Sequence, residues 1–487
     1  MKLNKYIIAL IFVILLSRFI FEFSTPEFSN GKSYFYIKQI ESIKDTGKVS
    51  QTEAQNINLL TLSPLFSYLL VPFSIFGNGG IKIFISLLIV FAAIVLFYFS
   101  KLFCKDEKIC FISTLLFSFS PVLFKITLNK ISLIPIILFL MLGIIYFSLN
   151  LKFKNNITYF IILSFILALI SPMSILIAFA LIIYLLLMLS ESMKLERLKG
   201  EAIIFCIFAI IFSNLLIYKN VLFSSGLQGL TQNTPLDPLN IEFASLSIIN
   251  LILSVGVLIL IFGIIGLIAS IYSKPPEYVL INLAFIISTI ILLISRTINP
   301  YIGLLILIAP LTLFSAKGLE LLYEYYKKTK LIRFKRGFYI FIILLFLISN
   351  VYLSLDAGNQ TIKNSITSEE INTLQWLKDN LPKSALILTS PEESHLITYF
   401  IERKTVWDDY TLSRIEIEEK TKDIQTIYTT NSETKALNLI KKYEINYIYF
   451  SNLTKEKYLV KEIEYANDKT CFERIRNGNP EIIKIQC

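Results

Sequence analysis

Histidine is nearly missing from this 487-residue chain, which has only His395. There are five cysteines, and no Cys/His spacing suits zinc, so a structural zinc site is excluded. Five cysteines are also too few for a disulfide framework. Cys104, Cys110 and Cys206 lie in or beside apolar runs. Cys471 and Cys487 fall in the polar C-terminal segment, where they either pair or stand as separate thiols. Charge is scarce as well: Asp, Glu, Lys and Arg make up 17% of the chain and hydrophobic residues 55%. Soluble globular proteins carry about 25% charged residues, so that class is excluded. No solenoid-length repeat and no low-complexity tract is present. The first apolar run, Tyr6–Phe23, lacks a small-residue cleavage site and reads as a retained span rather than a removed signal peptide.

What is present is a series of apolar runs of about 20 residues, the pattern of a polytopic membrane protein. The net charge of +10 would suggest nucleic acid in a soluble chain. Here the Lys and Arg residues sit mostly in short loops between apolar runs, which is membrane topology and contact with anionic lipid, so no nucleic-acid partner is expected. The loop Lys317–Arg336 holds Lys317, Lys327, Lys328, Lys330, Arg333, Lys335 and Arg336, an excess typical of cytoplasmic loops. The run Gly337–Leu355 then crosses outward and leaves the tail outside. The short apolar segment Pro64–Phe76 is read as lying along the outer surface, because every basic short loop then falls inside. The expectation is about 11 spans with a cytoplasmic N-terminus and an extracytoplasmic C-terminal domain.

Residues 1–356 thus form a multi-span domain with two long outer loops, 22–76 and 219–245, and 357–487 a separate domain. In the tail, Thr367-x-x-Glu370 is a capping box opening a helix that Pro382 ends. Ala385–Thr389 and Tyr447–Phe450 read as strands, and Glu392–Glu402 and Asn431–Tyr443 as helices, which predicts a small, largely parallel sheet.

The outer segment after the first span is the most informative. Tyr34, Ile37, Ile40 and Ile43 recur every three residues, which predicts an amphipathic helix on the membrane surface, with Gly47 as its C-cap. Pro64 and an apolar stretch follow. Ser295-Arg296 precedes Asn299-Pro300-Tyr301 at the outer end of a span, where an ionisable group is a functional candidate by default. Ala309-Pro310, Lys317-Gly318-Leu319-Glu320 and Leu374-Gln-Trp376-Leu377-Lys378 complete the series. In this order the motifs resemble those of the GT-C glycosyltransferases, in particular archaeal oligosaccharyltransferase-like members, over the whole chain.

The resemblance implies a polytopic α-helical membrane protein with a C-terminal exoplasmic α/β domain. It would be a membrane glycosyltransferase in the cell membrane, moving a sugar from a polyprenyl-phosphate or -pyrophosphate donor to an acceptor on the outer face. Such transfer builds positive charge at the sugar carbon and negative charge on the leaving phosphate. A carboxylate is therefore wanted as base or metal ligand, and a cation as phosphate clamp. The expected first-loop aspartate falls at Lys32, which cannot serve as base or metal ligand while protonated. The nearest acids, Glu27 and Glu22, take the catalytic role, and a divalent metal cofactor stays open. Arg296, with Lys125 and Lys130 of the acid-free turn 125–130, would bind the lipid phosphate. Glu392 and His395 occupy the place of the acceptor motif of oligosaccharyltransferases, without its tryptophans. The alternative is a non-catalytic relative that binds a lipid-linked glycan or assists an active paralogue. A transporter fits less well, since charged residues within the spans are almost absent.

Overall fold

A computed structural model describes residues 4–49, 64–149, 151, 153–219, 247–272, 275–329, 335–363, 365–407, 414–468, 470–476 and 478–487. The expected outer loop 219–245 and part of loop 22–76 lie outside the described residues.

The first half is helical. The helices are α1 (Lys5–Glu22), α2 (Gly31–Thr46), α3 (Pro64–Leu70), α4 (Gly77–Ser100), α5 (Glu107–Ser118), α6 (Pro121–Thr127), α7 (Ile134–Leu149), α8 (Lys154–Ile170), α9 (Ser174–Ser190) and α10 (Arg197–Ile217). After residue 246 come α11 (Ile248–Val255), α12 (Val257–Tyr272), α13 (Glu277–Ile294), α14 (Pro300–Lys327), α15 (Lys335–Phe346) and α16 (Tyr352–Lys363). Local signals set the ends. Asn4 caps α1 by accepting from Tyr6 N at 3.1 Å, and Asp106 caps α5 by accepting from Lys108 N at 2.9 Å. Asn299 caps α14, whose first residue, Pro300, needs no N–H there.

Among the described residues, five helices are long and apolar enough to cross a membrane, or up to seven if each bent pair is one span. The apolar runs 109–124 and 246–272, each of which the sequence predicts as one straight span, are bent. The first breaks between α5 and α6 by 47°, at Phe119 and Ser120 before Pro121. The second breaks between α11 and α12 by 84°, at Gly256, whose φ is 102°. The helices α7, α8 and α9 are shorter and apolar. α1 is apolar but for Lys5, Arg18 and Glu22.

The C-terminal part adds α17 (Ser368–Asn380), α18 (Pro391–Phe400), α19 (Arg414–Thr429), α20 (Glu433–Lys442) and α21 (Asn452–Tyr458) around five strands. These are β1 (Leu386–Leu388), β2 (Lys404–Thr405), β3 (Tyr447–Phe450), β4 (Phe472–Arg476) and β5 (Glu481–Ile485), in the order β2-β1-β3-β5-β4. Only β2-β1-β3 are parallel. β5 runs antiparallel to both β3 and β4, so the sheet is mixed rather than largely parallel. The hairpin β4–β5 adds the antiparallel half without a crossover helix. Side chains alternate across the sheet. Ile387, Tyr447, Tyr449 and Ile482 join the same apolar core as the membrane helices, while Leu388, Ile448, Phe450 and Ile483 form a second core with α19 and α20. Cys471 and Cys487 are paired, and so are Cys104 and Cys110.

One face of the sheet reaches the membrane helices through α18 and α2. The helix α2 forms as expected and ends at Gly47, φ 72°, whose N–H donates to Ile43 O at 2.9 Å. Its environment differs from the expectation of a membrane-surface helix. Tyr34, Phe35, Tyr36, Ile37, Gln39, Ile40 and Ile43 are all buried by protein. Tyr36 meets Phe66 of α3 edge-on at 5.3 Å, and Tyr34 meets Phe400 of α18 at 5.1 Å. At the start of α2 a Cβ on Gly31 would sit 1.9 Å from Glu392 O, so only glycine lets the two helices come this close.

Candidate functional site

The C-terminal end of α1, the N-terminal half of α4 and the end of α6 hold a buried polar cluster. Arg18 and Glu22, one helical turn apart on α1, are both 1% exposed and pair at 3.0 Å. Arg18 also donates through Nε to Ser86 Oγ at 2.8 Å, to Thr127 Oγ1 at 3.0 Å and to Thr127 O at 2.9 Å. Ser86 Oγ lies 2.8 and 2.7 Å from the two oxygens of Glu22. A charge pair this deep is tolerable only because nearly every polar atom has a partner. Glu22 is thus enclosed by Arg18 and Ser86.

Loop 23–30 follows, and Glu27 sits on it half-buried. Its carboxylate accepts from Tyr34 Oη at 2.8 Å. Its backbone is gripped from both sides. From α4, Lys82 Nζ donates to the carbonyls of Glu22 (2.8 Å), Thr25 (2.7 Å) and Glu27 (3.3 Å). From the turn after α6, Asn129 Nδ2 donates to Glu27 O (3.0 Å) and Thr25 Oγ1 (3.1 Å), while Asn129 O accepts from Ser29 N at 3.0 Å. Lys32, at the position of the expected aspartate, is half-buried at the start of α2.

The same turn carries two expected phosphate ligands. Lys125 is exposed, with its Nζ 3.9 Å from the centre of the Tyr301 ring in the first turn of α14. Lys130 Nζ donates to Lys125 O at 2.8 Å. Burial, with Lys125 adding repulsion, pushes its ammonium down to about 8. Arg296 is exposed in the turn between α13 and α14. Its φ is 53°, and its N–H donates to Leu293 O at 3.0 Å. The Lys125–Tyr301 contact joins α6 to the first turn of α14, which follows the turn of Arg296, and Asn129 joins the turn after α6 to the loop of Glu27.

The acceptor-side residues lie on α18, which packs against α2. Glu392 forms an ion pair with Lys457 at 2.6 Å. His395 is 3% exposed and its ring packs edge-on against Phe35 of α2, centres 5.3 Å apart. Among the described residues no group of three or more His, Cys, Asp or Glu side chains could hold a metal ion. Glu27, with an ammonium at its own carbonyl, does not fit a divalent metal site either.

Sequence reasoning missed Arg18, Lys82, Ser86, Thr127 and Asn129. The Arg18–Glu22 spacing of four in an apolar run was a usable signal, since such charges must pair to be buried. Charged residues, expected to be almost absent from the spans, occur there at Arg18, Glu22 and Lys82. Nothing in the spacing marks Lys82 or Asn129.

No protein-family profile and no curated protein matches the sequence. Solved structures do match in fold. The archaeal oligosaccharyltransferase AglB from Archaeoglobus fulgidus, in complex with an inhibitory peptide and a dolichol-phosphate, superposes with a TM-score of 0.70 at 11% identity. The match covers 93% of this chain and 69% of that one. The same enzyme tethered with an acceptor peptide containing the NVT sequon gives 0.67 at 12% identity over 99% and 74%. ArnT from Cupriavidus metallidurans bound to undecaprenyl phosphate gives 0.53 at 9% identity over 99% and 98%. The chain therefore shares the fold of these oligosaccharyltransferase and ArnT structures, the fold that the order of sequence motifs implied.

Proposed function

We propose that this protein is a membrane glycosyltransferase that takes a sugar from a polyprenyl-phosphate-linked donor and transfers it to an acceptor on the outer face. The observation that carries this reading is that Asn129 joins the turn of Lys130 to the loop bearing Glu27 while Lys125 packs on Tyr301, just past the turn of Arg296, on a fold shared with structures that hold dolichol-phosphate and undecaprenyl phosphate. The three cations hold the donor phosphate and stabilise the charge that grows on it as the glycosidic bond breaks. Glu27 takes the proton from the acceptor as it attacks the sugar carbon, and Tyr34 Oη orients the carboxylate. Glu22 acts behind it as the buried partner of Arg18. In this reading about 11 helical units span the cell membrane, with the N-terminus cytoplasmic and residues 357–487 outside.

The test is transfer from polyprenyl-phosphate-linked sugars extracted from membranes of the source organism, by purified full-length protein. Glu27→Gln and Arg296→Ala should each abolish it, Arg296→Ala also weakening binding of undecaprenyl phosphate. Full activity in Glu27→Gln refutes the catalytic assignment.

A second reading is a non-catalytic relative that binds lipid-linked glycan. It is favoured by Lys32 at the expected aspartate position and by the enclosure of Glu22 between Arg18 and Ser86. Tight binding of undecaprenyl phosphate with no turnover by the wild type would establish it.

A further inference from the structure

We propose that Lys82 and Asn129 are the positioning residues of Glu27, acting on its backbone from opposite sides; this rests on the assignment of Glu27 as the base. Lys82 is 3% and Asn129 1% exposed. A buried ammonium is costly unless its donors are used. Lys82 uses them on three carbonyls within one short loop, those of Glu22, Thr25 and Glu27. Pro26, inside the span so gripped, narrows the backbone further. Glu27 O is also the acceptor of Asn129 Nδ2 and of Thr25 Oγ1, at 3.0 and 3.3 Å.

Asn129 has a backbone that few side chains favour, with φ 50°. Its carbonyl accepts from both the amide and the hydroxyl of Ser29, at 3.0 and 3.1 Å, and its side chain also reaches Ser365 Oγ at 3.4 Å. One residue thus ties the loop of the base to the turn of Lys125 and Lys130, and both to the chain entering the C-terminal domain. The spacing between base and phosphate clamp is fixed by this residue and not by the length of loop 23–30. Misplacing a reacting group by about 1 Å can cost a hundredfold in rate.

Asn129→Gly is the informative variant, because glycine adopts the same backbone and only the side-chain bonds are lost. Lys82→Met keeps the length of the side chain and removes its donors. With the polyprenyl-phosphate-linked sugar fraction as donor, each should lower kcat about tenfold to a hundredfold while leaving KM within about twofold. Hydrogen exchange of the full-length protein should speed up in the peptide covering 23–30 and not in α7 or β3. A raised KM at unchanged kcat overturns the proposal, because the residues would then serve donor binding. Uniformly faster exchange overturns it in favour of a merely structural role. Unchanged kcat in both variants, with Glu27→Gln inactive, overturns it and leaves the base in place. If Glu27→Gln is itself fully active, the underlying reading falls first.

Discussion

Arg403 offers a quantitative test of what holds the C-terminal domain together. It is 7% exposed, and its guanidinium donates to Pro382 O (2.9 Å), Ile401 O (3.0 Å), Lys378 O (3.0 Å) and Leu381 O (2.7 Å), with a longer bond to Glu402 O (3.4 Å). These carbonyls terminate α17 and α18, so one cation caps two helix C-termini. Hydrogen bonds from a charged donor are worth about 1.5–3 kcal/mol each, but they share one side chain and some freed carbonyls will find water. Arg403→Ala should therefore cost about 4 kcal/mol, a large share of the 5–15 kcal/mol that stabilises a typical domain. For a domain of about 130 residues that is a fall in midpoint of roughly 10–20 °C. The assay is already in the sequence: the only tryptophans, Trp376 and Trp407, both lie in this domain, so tryptophan fluorescence of the full-length protein in detergent reads its unfolding. Arg403→Lys should recover about half, because one ammonium has three donors and lacks the planar fork. A shift below about 3 °C in Arg403→Ala would refute the capping argument.

Three further outcomes are expected. The buried Glu393 carboxyl accepts from Ser390 Oγ at 2.7 Å and Thr454 Oγ1 at 2.9 Å, and burial pushes it up to about 7. The folded domain therefore holds a proton that the unfolded chain has released. Stability should fall by about 3 kcal/mol as pH rises from about 4.5 to about 7, and Glu393→Gln should flatten that part of the tryptophan-detected profile. Because Lys130 is held down to about 8, binding of undecaprenyl phosphate should weaken as pH rises through 8, and Lys130→Arg should move the loss to higher pH. Replacing Cys471 and Cys487 by serine opens a loop of 16 residues and should cost the domain about 3 kcal/mol, read by the same fluorescence midpoint with and without reductant.

The sequence was most legible where local chemistry decides the structure. Strand β3 has the bounds expected of Tyr447–Phe450, Thr367 caps α17 by accepting from Glu370 N at 3.2 Å, and Gly47 ends α2. The period of three in Tyr34, Ile37, Ile40 and Ile43 identified a helix with an apolar stripe. Such a stripe fits lipid and protein alike, so the pattern carried no information on which would cover it. The hairpin β4–β5 was missed because its strands are short and interrupted by charge, as in Phe472–Arg476. The grip on Glu27 was illegible for a different reason. Lys82 and Asn129 are brought to loop 23–30 from 55 and 102 residues away, by helix packing that no local spacing reveals.

The connection between the two parts of the chain is not a flexible tether. α15 continues through a π-helical turn at Leu347–Val351 directly into α16, which runs to Lys363. α16 lies against α6, with Ser354 Oγ donating to Phe119 O at 2.7 Å, and a Cβ on Gly358 would come within 3.1 Å of Phe21 and 3.3 Å of Leu128. The C-terminal domain therefore rides on a splinted strut. Any tilt of that domain, such as one made on engaging an acceptor, must lever the ends of α1 and α6, whose next residues are the loop of Glu27 and the turn of Asn129.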